Sequence, residues 1–296
     1  MIKEKVLVVG GDSLIGSACV KYLKQINVPV ISSTRRVDSL SEERVFIDLS
    51  KISDRIILDK SVGIAVLCAG ATRMADCQQN PRQSSYINVT GIYDLVKILV
   101  ERGVHILYLS TNQVFDGLSL YPSPNDPVSP ITEYGKQKTD AENKLLKSYA
   151  DMLTILRLTK VIGNREFLFD KWIDELREGK SINPFSDMFL APISLSLVVS
   201  VIVKILNIRP KGIYHLSAEC DISYEQAACK AVEILGVNND QVQPISAMGS
   251  GIVKSPYPIK TAMNIDSTKL EFAIKPPDPM MAIEKYILNK IDYKDK

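Results

Sequence analysis

Lys5-Val-Leu-Val-Val9 runs directly into Gly10-Gly-Asp-Ser-Leu-Ile-Gly16, and an amphipathic stretch follows at once, with apolar residues at Leu14, Ile15, Ala18, Cys19, Tyr22, Leu23 and Ile26. An unbroken apolar run lacks the alternation of a half-exposed strand and predicts a strand buried on both faces. The spacing after it predicts a helix over 14–26. A dinucleotide-binding turn needs a glycine where the strand turns sharply and backbone that can approach a pyrophosphate. It also needs a small residue where helix meets strand, and the helix N-terminus then faces the phosphates. Gly10 and Gly16 fill the outer positions of G-x-x-G-x-x-G, while Ser13 stands in the middle, where glycine is expected. A serine adds a Cβ near the phosphates, so the match is imperfect. The plain alternative is a tight turn with no ligand. The position of this turn, after the first strand and before an amphipathic helix, favours a nucleotide and marks Gly10, Ser13, Leu14, Ile15 and Gly16 as cofactor-binding.

Working outward, apolar runs at Val28–Ser33, Val45–Ile47, Gly63–Cys68, His105–Leu109 and Leu153–Leu158 predict further strands. Helical patterns at Ser84–Arg102 and Tyr134–Tyr149 alternate with them. This alternation predicts an α/β fold, a Rossmann-type doubly wound parallel sheet covered on both faces. Residues 1–160 form the expected NAD(P)-binding domain. Residues 161–296 form a smaller, mainly substrate-binding lobe, with segments returning to the sheet. Its expected helices are Leu168–Glu178, Leu195–Leu206, Tyr224–Leu235 and Met280–Leu288, and Gly212–Leu216 is a candidate returning strand. Pro-rich loops are expected at Asn183–Pro192 and Ser255–Ile259, and a polar tail at Lys290–Lys296.

Composition narrows the function classes. The chain has 296 residues, a formal net charge of +2, 46% hydrophobic and 24% charged residues, which excludes disordered, collagenous and coiled-coil classes. The near-zero charge argues against a protein built to grip nucleic-acid phosphates. The apolar run at Val6–Val9 is too short for a signal peptide. The longest apolar stretch, Leu195–Leu206, is interrupted by Ser196, Ser200 and Lys204 and is too short to span a membrane. Cys19, Cys68, Cys77, Cys220 and Cys229 are odd in number and include no C-x-x-C pair, so they read as buried thiols of a soluble, cytoplasmic protein. No His, Asp or Glu cluster has metal spacing, so no metal is expected.

The end of the second strand bears on the cofactor. An acidic residue there accepts the ribose 2′-hydroxyl of NAD, whereas arginine accommodates the 2′-phosphate of NADP. Here the strand ends Ser32-Ser-Thr-Arg35-Arg36, with no acid before Asp38. Hydroxyls and guanidinium groups suit a phosphate, which favours NADP(H) and marks Arg35 and Arg36, with NAD(H) as the second choice. A solvated basic loop is the bland alternative.

The fifth strand ends Leu109-Ser110-Thr111-Asn112, and the helix near Tyr134 reads Tyr134-Gly-Lys-Gln-Lys138. Tyrosine and lysine at i and i+4 share a helical face. A nearby ammonium lowers a phenol's pKa, so Tyr134 is expected to be acidified by Lys138 and to pass a proton to a carbonyl oxygen as hydride arrives at carbon. Thr111 can hydrogen-bond the same oxygen. Y-x-x-x-K is common, and Tyr93/Lys97 and Tyr286/Lys290 also satisfy it. Only Tyr134 comes shortly after hydroxyls at the carboxyl end of a core strand, where open α/β sheets bind ligands.

These residues together resemble the extended short-chain dehydrogenase/reductases, and specifically the sugar-nucleotide-binding branch of dTDP-4-dehydrorhamnose reductase. Leu109-Ser-Thr-Asn-Gln-Val-Phe-Asp-Gly117 is similar to its S-T-D-Y-V-F-D-G signature, and Tyr134 to Lys138 to its Y-G-x-x-K. The resemblance implies Thr111, Tyr134 and Lys138 as catalytic residues. It places Asp48-Leu49 at the adenine, and Cys68-Ala69-Gly70-Ala71-Thr72, with Pro81 and Asn88 downstream, is similar to the stretch after the fourth strand that lines the cofactor. Phe185 to Ile193 is similar to the substrate-side D-Q-x-G-x-P-T segment, and Asn112, Asn183 and Asp187 are the candidate substrate contacts. The implied reaction is NAD(P)H reduction of a keto sugar attached to a nucleotide, in a fold that is commonly dimeric. Asn112 stands where the branch has an acid, and Leu190 and Ile193 alter the substrate segment. Asn112-Gln113 lacks the acidic pair of the dehydratases.

Two other readings come with the resemblance. The branch also resembles a regulatory subunit of methionine adenosyltransferase, where the fold serves a partner protein. An epimerase would need a further acid/base pair, typically Cys with His, and none is placed for it. His105 and His215 read as packing or capping residues, Arg157 as a salt-bridge partner, and Trp172 as core.

Overall fold

The computed structural model describes residues 2–52, 59–248, 250–251 and 257–294. Part of the loop expected at 255–259 and the last two residues of the polar tail lie outside them.

The first half alternates as its apolar runs require: β1 (Lys5–Val9), α1 (Leu14–Gln25), β2 (Val30–Thr34), β3 (Arg44–Phe46) and β4 (Val62–Leu67). Two short helices follow, α2 (Met74–Gln79) and α3 (Pro81–Ser85), then α4 (Ile92–Val100), β5 (His105–Thr111), α5 (Glu133–Tyr149) and β6 (Leu153–Leu158). The second half contains β7 (Val161–Ile162), α6 (Phe167–Arg177), β8 (Phe189–Leu190), β9 (Ile193–Ser194), α7 (Leu195–Ile208), β10 (Gly212–Leu216), β11 (Ile222–Ser223), α8 (Tyr224–Leu235), α9 (Asp266–Phe272) and α10 (Pro279–Lys294).

One seven-stranded sheet has the order β10-β6-β5-β4-β1-β2-β3, and every pairing in it is parallel. Crossovers run outward from β1 in both directions, so the order reverses beside β1 and opens a crevice at the carboxyl ends of the strands. The apolar runs are buried on both faces. One face packs Val6 and Val8 against Cys19 and Leu23 of α1 and Val198, Val201 and Ile202 of α7. The other packs Leu7 and Val9 against Leu95 and Leu99 of α4 and Leu145 of α5. A third core joins α6, α8 and α10 around Trp172, Ile173, Ala228 and Ile283. As expected, Gly212–Leu216 returns to the sheet, pairing with β6.

The long helix expected over 84–102 forms, running continuously from Pro81 to Val100, with a π-helical turn at Tyr86–Gly91 joining α3 to α4. The thiols divide differently from the expectation. Cys19 and Cys77 are buried, Cys68 and Cys220 are half-buried, and Cys229 is exposed on α8. Among the described residues no helix is long and apolar enough to cross a membrane.

Arg157 of β6 makes the ion pair expected of it. Its guanidinium donates to both oxygens of Glu142 on α5, the shortest contact being 2.6 Å, with both side chains almost fully buried. A further guanidinium nitrogen lies 3.2 Å from His215 Nε2. Burial, and then the Arg157 charge, push the His215 imidazole down to about 3, so the ring is neutral and accepts. His105 Nε2 meets Thr154 Oγ1 at 2.9 Å, also a structural contact.

Arg157→Met leaves the Glu142 carboxylate buried without its partner. Urea unfolding is expected to show a loss of about 3–5 kcal/mol, most of it recovered when Glu142→Leu is added.

Candidate active site

The turn after β1 folds as its glycines permit. Gly10 has φ +87°, and a Cβ there would lie 2.8 Å from the Ala69 backbone nitrogen. Such a position suits glycine alone. Gly10 N–H donates to Ser33 Oγ at 2.8 Å and Gly11 N–H to Ser33 O at 3.0 Å, which ties the turn to the end of β2. Ser13 is the N-cap of α1. Its hydroxyl accepts from Gly16 N–H at 3.1 Å and donates to Gly10 O at 2.7 Å. The departure from glycine thus closes the turn on itself and satisfies an otherwise free helix amide.

A cavity of about 630 Å³ opens over this turn. Gly10, Ser13, Arg35, Arg36, Asp48, Leu49, Ala69, Gly70, Ala71 and Thr72, all expected from the sequence, stand in its wall. Leu14, Ile15 and Gly16 do not. They form the first turn of α1 behind it. Asp12, Ser33, Thr34, Ile47, Cys68 and Ile87 line it as well. Burial raises the Asp48 carboxyl, but hydrogen bonds from the Ser50 amide and hydroxyl, with the Arg35 charge, hold it below its ordinary value.

Two polar residues organise this wall: Asn88, which the resemblance placed downstream of the stretch after β4, and Gln137, which sequence reasoning passed over. The Asn88 amide accepts from Ala71 N–H at 2.8 Å and donates to Ala71 O at 2.9 Å. It also donates to Gln137 Oε1 at 2.8 Å. Gln137 in turn donates to Ser84 Oγ at 2.8 Å and Glu133 Oε1 at 3.2 Å. Asn88 sits in the π-helical segment, so this irregular turn of the long helix coincides with the side chain that holds the cavity wall to α5. A buried primary amide inside an apolar helix was the available signal.

The catalytic candidates gather at the carboxyl end of β5. Thr111 Oγ1 donates to Asn112 Oδ1 at 3.4 Å and accepts from Gln113 N–H at 3.2 Å, capping a tight turn at Asn112–Val114. The first turn of α5 is seated on that turn. A Cβ at Gly135 would lie 2.1 Å from Gln113 O, so glycine is required for the approach. Lys138 reaches back under β5, its Nζ donating to Leu109 O at 2.7 Å and lying 3.9 Å from the centre of the Tyr108 ring.

The expected acidification of Tyr134 does not occur in this state. Burial pushes the phenol well above its ordinary value, and the nearby Cys77 adds to this. Burial also pushes the Lys138 ammonium down to about 7, and its Nζ is directed to the Leu109 carbonyl. The other two Tyr/Lys pairs are structural. Tyr93 meets Ser148 Oγ at 3.3 Å, and both Tyr286 and Lys290 engage Asp170.

The candidate substrate contacts are dispersed. Asn112 is buried beside Thr111. Asn183 donates to Gln243 O at 3.0 Å. The Asp187 carboxylate accepts from Ser246 Oγ at 2.5 Å and Ala247 N–H at 2.6 Å, within its own lobe. Among the described residues no group of His, Cys, Asp and Glu is placed to hold a metal.

A glycine turn beneath the switch point of a parallel sheet, with a groove running along the strand ends, defines a Rossmann-type dinucleotide-binding architecture. The chain belongs to the RmlD substrate binding domain family, which it matches over residues 4–291. It is 25% identical over 297 residues to the probable low-salt glycan biosynthesis reductase of Haloferax volcanii, covering 94% of this chain and 96% of that protein. It is 26% identical over 281 residues to methionine adenosyltransferase 2 subunit beta of Rattus norvegicus, covering 90% and 82%. The dTDP-4-dehydrorhamnose reductase of Bacillus anthracis, solved in complex with NADP, superposes with a TM-score of 0.84 at 19% identity, covering 97% of this chain and 99% of that one.

Two measurements probe this geometry. Gly135→Ala is expected to lower stability by about 1–3 kcal/mol in urea unfolding, because α5 must lift off the Gln113 carbonyl. The second concerns Lys138, whose pKa lies near 7 in the folded state against an ordinary 10.5. Between these values the unfolded chain binds more protons, so the protein gains stability as pH rises and loses it as pH falls toward 7. From about pH 7 to about pH 8.5, the melting temperature should rise more in the wild type than in Lys138→Met.

Proposed function

We propose that the protein is an NADP(H)-linked reductase of a keto sugar carried on a nucleotide, with NAD(H) accepted as a second cofactor. One observation carries the reading. Gly135 and Lys138 fix α5 to the end of β5, and this brings Tyr134 and Thr111 to the same sheet edge as the 630 Å³ groove. The residues fit a dinucleotide. The turn at Gly10 leads into the N-terminus of α1, which suits a pyrophosphate, Asp48 and Leu49 suit the adenine end, and Arg35 and Arg36 suit a 2′-phosphate. A reduced nicotinamide bound here supplies hydride to a carbonyl carbon.

The chain's own groups supply the proton and the geometry. Tyr134, with its raised pKa, keeps its proton at neutral pH and is the general acid for the developing alkoxide. Thr111 donates to the same oxygen once its hydroxyl turns from Asn112. Lys138 orients the site, and its readiness to lose or regain a proton near neutral pH suits it to reset Tyr134 after each turnover. The resemblance assigns residues 1–160 to the cofactor and 161–296 mainly to the sugar nucleotide, and we adopt that division. The buried position of Asn112 beside Thr111 supports it as a substrate contact, whereas the internal bonds of Asn183 and Asp187 suit them to shaping the loop around the substrate.

A second reading is a regulatory subunit that uses the fold to bind a partner, favoured by the likeness to methionine adenosyltransferase 2 subunit beta. The complete Thr111, Tyr134 and Lys138 set weighs against it, since a scaffold has no chemical use for all three.

NADPH consumption with nucleotide-linked 4-keto sugars separates the two. The reductase reading expects turnover in the wild type and a drop of about 10²–10⁴-fold in Tyr134→Phe, with NADPH affinity held within about twofold. Undiminished turnover in that variant would remove Tyr134 from the mechanism, and no turnover with any such sugar would favour the regulatory reading.

A further inference from the structure

The end of β2 carries no acid of its own before Asp38, yet the folded chain delivers one there. Asp12, in the glycine turn, lies in the cavity wall beside Thr34, Arg35 and Arg36. Its Oδ2 accepts from Thr34 Oγ1 at 2.6 Å, and the same hydroxyl accepts the Arg36 amide at 3.0 Å. Its Oδ1 pairs with the guanidinium of Arg44, brought over by β3. Arg44 is not part of the wall and stands behind the carboxylate. The Thr34 hydrogen bond outweighs burial and, with Arg44 and Arg36, holds the Asp12 carboxyl below its ordinary value. Asp12 is therefore an anion at neutral pH.

This edge is where the two dinucleotides differ by a single phosphate. A carboxylate beside Arg35 and Arg36 offsets part of the field that would attract that phosphate, while offering an acceptor to a free ribose hydroxyl. Resting on the dinucleotide reading above, we infer that Asp12 is the residue that sets discrimination between a 2′-hydroxyl and a 2′-phosphate, and that it holds the preference for NADP below what the arginines alone would give. Arg44 acts through it. Paired, Arg44 tempers the carboxylate, and without Arg44 the carboxylate repels the phosphate unopposed. The ion pair is one-third exposed on both sides, so water and salt screen the effect to about tenfold in affinity.

Calorimetric titration of the full chain with adenosine 2′,5′-bisphosphate and with adenosine 5′-monophosphate tests this without turnover. In Asp12→Asn, affinity for the bisphosphate is expected to rise about tenfold, while that for the monophosphate stays within about twofold. In Arg44→Met, affinity for the bisphosphate is expected to fall about tenfold, again with the monophosphate nearly unchanged. The opposite signs distinguish a charge effect from a damaged turn, and either variant alone suffices if the other does not fold. A ratio of the two affinities that stays fixed, or two ligands that weaken together, overturns the role of Asp12 and leaves the dinucleotide reading standing. A wild type that binds neither compound overturns both.

Discussion

The molecule depends on how α5 is held to the sheet. Tyr134, Lys138 and Glu142 follow one another at four-residue spacing on this helix. The last two are anchored below by a strand carbonyl and a strand guanidinium, Leu109 O and Arg157. Ala141 and Leu145 add apolar packing, but much of the helix's buried face is polar. Buried charges are poor stabilisers because their desolvation offsets most of the attraction. Their value here is direction: two polar side chains with fixed partners allow one rotation of the helix, whose first turn, bearing Tyr134, is seated on the turn that follows β5. An apolar face tolerates several rotations at similar energy and would aim the phenol less sharply.

Most of the scaffold was legible because it is local. The run at Lys5–Val9 gave a buried strand, the spacing from Leu14 gave α1, and Gly212–Leu216 was apolar enough to be placed back in the sheet, where it pairs with β6. What escaped is non-local. The π-helical turn at Tyr86–Gly91 carries Asn88, which meets the Ala71 backbone, a contact 17 residues away in sequence that no periodicity encodes. Asp12 meets Thr34 only because the turn and the end of β2 fold together. The Tyr134 pKa went the opposite way from the expectation for a related reason. Spacing tells that Lys138 shares a face with it, but not how deeply the fold buries both groups.

The site residues divide along the same line. Those named by motif, from Gly10 to Thr72, fell into the groove wall with the exception of Leu14, Ile15 and Gly16, expected at the cofactor but placed in the first turn of α1. Ser13 illustrates how a motif position keeps its role with changed chemistry. Its hydroxyl replaces the bare backbone of glycine with a helix cap. The C-terminal lobe was the least readable. Its short strands and loops are bound by contacts such as Asp187 with Ala247, which arise from pairing between distant segments.

One amide links what would otherwise be two independent parts. Asn88 satisfies both polar groups of Ala71 and passes through Gln137 to the helix that bears Tyr134. The groove wall at Ala71 and the first turns of α5 are therefore one mechanical unit, and a shift in one is passed to the other. The helices packed around Trp172 form a separate apolar core, so that lobe can change its loops while the strut between Ala71 and α5 stays in place.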